Sequence, residues 1–421
     1  MGWGSAREGH FSVASVVGPS PRRRSASFIA GGVASIIVGL AGLLSHLPAS
    51  QAEMAIIPGN TPRLGIAGAP TLVVWTSVGL PPGLAASARE LPGVAAIAEV
   101  RSGIRWLTAW AAAGNATPST PPAGFSFPLD VAAIDPEQFR AFLPPGEVDR
   151  FLSLASGSAL MGKTGAELRG IADQGTLAFG DVLLPVHGVV DDELARAHEA
   201  VVSIQTGERL GVVKPKYMLV GLSPDASRPQ VEERLRGLVP PEAKMRVRGL
   251  GDSSAASLGG AVLPQAQLKK LFGEFPARPG AGGAIRIDQR WVDEHTVEDS
   301  IPLLGVARCH KAIFPQLQGA FGEIVKRGLQ GSIYGRDFGG CFSPRFLNRD
   351  PNSGISHHAW GVAFDINVSQ NLFGENPTLD PRIVEILERW GFTWGGRWTV
   401  PDGMHFEYLQ PPLAQGGEAG E

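Results

Sequence analysis

Between Ala26 and Ser45 the chain carries no charged residue, and 28–44 is dominated by Ile, Val, Leu, Ala and Gly. A helix of about 20 such residues is long enough to cross a ~30 Å hydrocarbon core. Arg22, Arg23 and Arg24 stand just before the run. Arginines flanking an apolar span stay on the cytoplasmic side, so everything after Pro48 is expected outside the cytoplasm. The run is longer than the roughly 7–15-residue core of a secretory signal, which favours an uncleaved anchor over 26–47. Ser50-Gln51-Ala52 offers the small-x-small site of the alternative, a cleaved and secreted chain. The expected location is the cell membrane, single-pass, with a cytoplasmic segment 1–25, a Pro/Gly-punctuated linker 48–70 and an extracytoplasmic bulk.

That location decides how the rest is read. Cys309 and Cys341 are the only cysteines of 421 residues. They are too few for a four-thiolate zinc site, but an oxidising compartment permits them to pair. A formal net charge of −3 excludes a general nucleic-acid binder, which needs basic surface to displace counterions. The expected fold class is α+β throughout the exported part. In 71–252, strand-like runs at 71–78, 95–100, 129–134 and twice within 176–190 accompany helical stretches at 136–142 and 147–154. A helix opening at an Asp cap is expected over Asp191–Ser203. Strand, helix and strand follow at 217–222, 228–238 and 244–250, with the helix covering one sheet face. His187 and His198 are isolated, so this domain reads as a non-catalytic interaction module.

The chemistry concentrates in 265–412; 413–421 is expected to be a disordered tail. In Gly361-Val362-Ala363-Phe364-Asp365-Ile366-Asn367-Val368 the apolar residues alternate with Ala363, Asp365 and Asn367. That is the period of a half-buried strand, with Asp365 on its polar face beside a small residue. Gly361 lets the chain bend, so that His358 turns back toward the same pocket. In Met404-His405-Phe406-Glu407-Tyr408 the alternation recurs, with His405 and Glu407 on the polar side. Two histidines and one carboxylate converging from two strands, with a fourth position left open, make the composition of a catalytic zinc site. Such a site needs a general base nearby, and Asp402 stands three residues before His405. Glu407 is the alternative base, expected instead to support the metal ligands, as is His357. His310, Trp360 and Trp390 read as structural.

Ser356-x-His358-x-x-Gly361-x-Ala363-x-Asp365 and Asp402-x-Met404-His405-Phe406-Glu407 together resemble the D-alanyl-D-alanine carboxypeptidase group of zinc peptidases. Its relatives include the vancomycin-resistance dipeptidases and carboxypeptidases and the L-alanyl-D-glutamate endolysins. The resemblance covers roughly 285–412. It implies a small α+β domain on an antiparallel sheet, a zinc ion bound by His358, Asp365 and His405, Asp402 as catalytic base, and cleavage of peptidoglycan stem peptides. It also implies an arginine upstream of the first motif that receives the substrate carboxylate. Arg345 is the candidate and Arg336 its rival. Ser356, Trp394 and Trp398 are expected at the substrate cleft.

The middle region, with "GSALMGKTGAELRG" at 157–170, resembles the extracytoplasmic core domains of MacB-like and FtsX-like permeases. That implies a protein partner such as a transporter or division complex. The expectation is therefore a membrane-anchored zinc peptidase acting on cell-wall peptides. The alternatives are a catalytically inactive or regulatory wall-binding module, or a partner protein acting through its middle domain.

Overall fold

The computed structural model describes residues 70–77, 79–249 and 263–408. The expected segments 1–25, 26–47 and 413–421, and the linker up to residue 69, lie outside them. No helix among the described residues is long and apolar enough to cross a membrane.

Ten strands of the middle region form one sheet. They are β1 (Thr71–Thr76), β2 (Val94–Leu107), β3 (Ala109–Ala112), β4 (Phe127–Ile134), β5 (Ala159–Gly162), β6 (Gly175–Phe179), β7 (Val182–Val190), β8 (Ala200–Ser203), β9 (Pro215–Leu222) and β10 (Met245–Gly249). Their order is β10-β1-β9-β2-β4-β8-β5-β7-β6-β3. The β4–β8 and β5–β7 pairs are parallel and the others antiparallel. Period-two alternation sends successive residues to opposite faces, and both faces are covered here. Leu72, Val74 and Val220 join the core under the helix Arg228–Arg236. Val73 and Leu219 join another with Phe139 and Phe151.

The helix expected over Asp191–Ser203 is not formed. Residues 191–199 make turns in which Arg196 and Ala197 take φ of 52° and 63°, and 200–203 is the inner strand β8. Left-handed backbone at two successive residues cannot continue a right-handed helix. Asp192, expected near a helix start, instead accepts from the Thr164 amide and hydroxyl at 3.0 and 2.5 Å. The apolar run Ala200-Val201-Val202 is fully buried, as an inner strand demands.

Three small sheets and four longer helices build the C-terminal region. β11 (Ala277–Pro279) pairs with β12 (Ile285–Ile287), and β13 (Thr296–Ile301) with β14 (Gly305–His310). β15 (Ala363–Asp365), β17 (His405–Tyr408) and β16 (Phe392–Trp394) form an antiparallel sheet in that order. The expected strand through Val368 stops at Asp365, because Asn367 turns to φ 49°. Phe364 stacks on Phe406 at 5.4 Å and meets Phe392 edge-on at 5.0 Å. Helices Phe314–Lys326 and Pro381–Arg389 cover this aromatic face with Phe321, Ile383 and Leu387. The opposite face of the three-stranded sheet carries Asp365, His405 and Glu407.

The helix Gln265–Phe272 belongs to two surfaces. Leu268 and Phe272 sit in the C-terminal core. Lys269, 1% exposed, points to the large sheet, where its ammonium lies 2.8 Å from both Glu199 oxygens. Glu274 adds a contact to Lys269 at 2.9 Å and a bidentate pair with Arg169. The Arg169 guanidinium lies over the rings of Trp110 and Phe127. Two cations and two carboxylates thus compensate one another in the interior between the sheet and the C-terminal region.

Candidate metal centre

Strand register creates the centre. β15 and β17 pair so that Asp365 stands directly opposite His405 and Ala363 opposite Glu407. Directly opposed residues of an antiparallel pair hold their Cβ atoms about 4.5–5.5 Å apart on the same face. The third group comes from the one-turn 3₁₀ segment His357–Ala359, in which buried Ser356 caps the turn by accepting from the His358 amide at 3.4 Å. Gly361 ends the turn with φ 71°, and a Cβ there would lie 2.9 Å from the His310 nitrogen. Both the conformation and the space require glycine.

His358, Asp365 and His405 each present one donor atom, and these lie within 4.8 Å of one another. The closest atoms are tighter still. His358 Nε2 is 3.2 Å from His405 Nδ1 and 3.3 Å from Asp365 Oδ1. His405 Nδ1 is 2.8 Å from that oxygen. Tetrahedral bonds of about 2.0–2.2 Å place zinc donors roughly 3.3–3.6 Å apart, so this trio fits a zinc ion after shifts of a few tenths of an ångström.

The outward nitrogens define the inward ones. His358 Nδ1 is 2.8 Å from the Cys341 carbonyl oxygen. A carbonyl only accepts, so Nδ1 carries the hydrogen and Nε2 keeps its lone pair. His405 Nε2 is 3.0 Å from Glu407 Oε1, and the other Glu407 oxygen lies 2.9 Å from His357 Nδ1. Burial raises the Glu407 carboxyl, but the His357 and His405 interactions outweigh it and hold the group well below the usual carboxylate range. It therefore faces His405 as an ionised acceptor, directing Nδ1 inward. Such outer partners orient metal-binding histidines and raise their basicity.

Burial disfavours charge on His358 and lowers its pKa. The same burial opposes charge on His405, yet the hydrogen bonds and charges of Asp365 and Glu407 prevail and push it up to about 10. Asp365 is raised by burial and lowered more strongly by both histidines, ending far below the ordinary range.

Asp402 sits on the loop joined to this face. Its amide donates to Gly395 at 3.0 Å, and its carbonyl accepts from the His405 amide at 3.2 Å. Its Oδ1 is buried and has no hydrogen-bond partner. Burial, reinforced by Asp365 and Glu407 and opposed by His405, pushes the carboxyl up to about 6. Arg345 is half-buried and its charge acts on both Asp365 and Asp402. Its carbonyl accepts from the Ser356 amide at 3.0 Å, which lashes it to the His358 turn. Arg336 is exposed on a separate turn. The Trp398 ring lies 5.4 Å from that of His405. Trp394 donates to the Gly403 carbonyl at 2.8 Å and stacks on Phe406, bracing the loop that holds Asp402. His310 is engaged away from the centre, with Nε2 3.1 Å from the Phe272 carbonyl.

Two contributors escaped the sequence reading. One is the Cys341 carbonyl, a backbone atom with no residue-type signature. The other is Gly339, where a Cβ would come within 2.9 Å of the Asp365 Cβ; the pair Gly339-Gly340 was its only trace.

This arrangement lies within a stretch similar to a known family. Residues 349–408 match the D-alanyl-D-alanine carboxypeptidase family. The match includes all three donor residues and Asp402. No curated protein sequence matches the chain. Among solved structures, the periplasmic region of MacB from Actinobacillus actinomycetemcomitans is similar at 13% identity and TM-score 0.31, over 44% of this chain and 89% of that one. A domain of a putative permease protein from Porphyromonas gingivalis is similar at 15% identity and TM-score 0.27, over 43% and 86%. The extracellular domain of the transporter YknZ from Gram-positive bacteria is similar at 12% identity and TM-score 0.27, over 42% and 99%.

Proposed function

We propose that this chain is a membrane-anchored, extracytoplasmic zinc peptidase that cleaves peptidoglycan stem peptides, most simply as a D-alanyl-D-alanine carboxypeptidase. The observation that carries the reading is the buried His358–Asp365–His405 trio beside a carboxylate, Asp402, with an unpartnered oxygen, inside a segment of peptidase ancestry. The apolar run 26–45 behind three arginines supports the anchor and the extracytoplasmic side.

His358 Nε2, an Asp365 oxygen and His405 Nδ1 are the atoms that would hold zinc. When bound, zinc polarises a carbonyl oxygen and acidifies water at neutral pH. Asp402 then takes the proton of the attacking water at its free Oδ1 and returns it to the departing amine. A carboxyl held near 6 by burial suits both halves of that transfer, since an effective acid–base group titrates near the working pH. Arg345 grips the terminal carboxylate of the peptide with its planar fork, and Trp398 forms a wall of the cleft beside His405. Glu407 and the Cys341 carbonyl keep the two imidazoles in their tautomers.

Incubating the purified protein with muropeptides, with and without chelator, and weighing the products tests this reading. Loss of one terminal alanine is expected, abolished by chelation and restored by zinc. Asp402→Ala should keep its zinc while turnover falls by about 10²–10⁴-fold, the usual contribution of a general base. Undiminished turnover in that variant removes the acid–base assignment.

Metal uptake should also release protons. His405, charged below about 10, must lose its Nδ1 proton to become a ligand. Between pH 7 and 9 zinc binding is expected to expel at least about one proton per ion, and affinity to rise at least about tenfold per pH unit. Above about pH 10 the His405 share of both effects should fade. Calorimetry in buffers of different ionisation enthalpy measures the proton count; zero release at pH 7.5 contradicts the assignment of His405 as the charged partner.

A further inference from the structure

Cys309 and Cys341 are joined by a disulfide across 32 positions of sequence, with their Cα atoms 5.2 Å apart. Both are buried, at 0% and 2% exposure. The bond lies directly behind the turn that carries His358, and its two ends hold opposite sides of that turn. On one side, the Cys341 carbonyl accepts from His358 Nδ1 at 2.8 Å, and the Ser343 amide donates to the His358 carbonyl at 2.9 Å. On the other, the His310 amide next to Cys309 donates to the Gly361 carbonyl at 2.9 Å. The Cys309 backbone packs where a Gly361 side chain would stand, with its Cα 3.4 Å from that position. The Phe342 amide reaches the Arg308 carbonyl at 3.1 Å, so the flanking residues are tied a second time.

These contacts do more than stabilise the fold. Among the described residues, the 340s segment has no regular strand pairing of more than single bridges. The disulfide is the covalent tie added to the few backbone hydrogen bonds that hold the acceptor of the His358 tautomer in place. We propose that Cys309 and Cys341 are positioning residues for the metal centre, so that His358 becomes an effective donor only once the disulfide has formed. The inference rests on the reading of His358 as a metal ligand. It ties metal capture to an oxidising compartment, where such bonds persist. In a reducing cytoplasm the turn is slack and the centre is a poor competitor for zinc.

The test compares zinc affinity, by competition with a chromophoric chelator, in the full-length protein and in a Cys309→Ala/Cys341→Ala double variant. Leu160→Ala, a core substitution in β5 remote from the centre, serves as the control for general destabilisation. The double variant is expected to fold, by circular dichroism, and to bind zinc at least about tenfold more weakly, the scale on which lost outer partners act. Leu160→Ala should melt earlier yet bind zinc as the wild type does. Wild-type affinity in the folded double variant overturns the proposal. If that variant does not fold, wild-type protein reduced with a phosphine and freed of it under argon gives the same comparison. Unchanged affinity with two titrated free thiols then overturns it, and weakened affinity upholds it. Failure of the oxidised wild type to bind zinc at all is a different result: it overturns the metal reading itself, and this inference with it.

Discussion

His405→Ala is expected to empty the metal centre and to bring peptidase activity below detection. The reason is that His405 serves two neighbours at once. Its Nδ1 is 2.8 Å from Asp365 and its Nε2 is 3.0 Å from Glu407. Alanine removes one of the three candidate donors and, with it, the imidazole that had kept two carboxylates compatible. Glu407 is 3% exposed, so water cannot replace the lost partner freely, and its carboxyl should rise from its present low range. Asp365 loses the shorter of its two imidazole contacts and is freer to rotate away from His358. The measurement is metal content after dialysis, set beside turnover of a muropeptide substrate and a far-ultraviolet spectrum. A variant that keeps stoichiometric zinc would show that His405 is no ligand and would remove the mechanism built on it.

The three candidate donors were readable because strand periodicity exposes itself locally. Ala363 to Asp365 and His405 to Glu407 alternate polar with apolar, and that phase puts the chemistry on one face. Their meeting was less accessible. Asp365 and His405 are 40 positions apart, and nothing in either segment announces the register that sets them opposite. Resemblance to a peptidase family supplied what spacing could not. The oxygen that orients His358 belongs to the backbone of Cys341, and any residue there would present the same atom.

The misread helix at Asp191–Ser203 failed for another reason. An aspartate before an apolar stretch is a genuine helix-start signal, but Ala200-Val201-Val202 is also a buried inner strand. Only the neighbours β4 and β5 decide between the two. Asn367 ended a strand early by turning left-handed, an option that Asn takes more readily than most residues.

The junction between the large sheet and the C-terminal region was the least legible part, and it carries the largest expected stability effect. A lysine in an amphipathic helix normally faces water. Lys269 instead has a fully buried side chain, with Glu199 at 2.8 Å and Glu274 at 2.9 Å. Lys269→Ala leaves Glu199, itself 0% exposed, with the Asp130 amide and Gln265 as hydrogen-bond donors but without its countercharge. Removing one partner of a buried ion pair costs about 3–5 kcal/mol, against a total stability of about 5–15 kcal/mol for an ordinary domain. Urea unfolding should therefore shift to a markedly lower midpoint.

The shape of that transition carries a second expectation. Leu268 and Phe272 on the same helix belong to the C-terminal core, so loss of Lys269 should destabilise sheet and peptidase segment together, in one transition. Two resolved transitions, with the peptidase segment unmoved, would show that the ionic cluster does not couple them. A Lys269→Met/Glu199→Gln double variant should recover much of the loss, because it removes both charges rather than stranding one. The same reasoning applies to an isolated fragment 263–408. It would expose Lys269 and Glu274 while stripping both of their partners in the middle region, Glu199 and Arg169. The C-terminal segment is thus expected to need the middle region in order to fold.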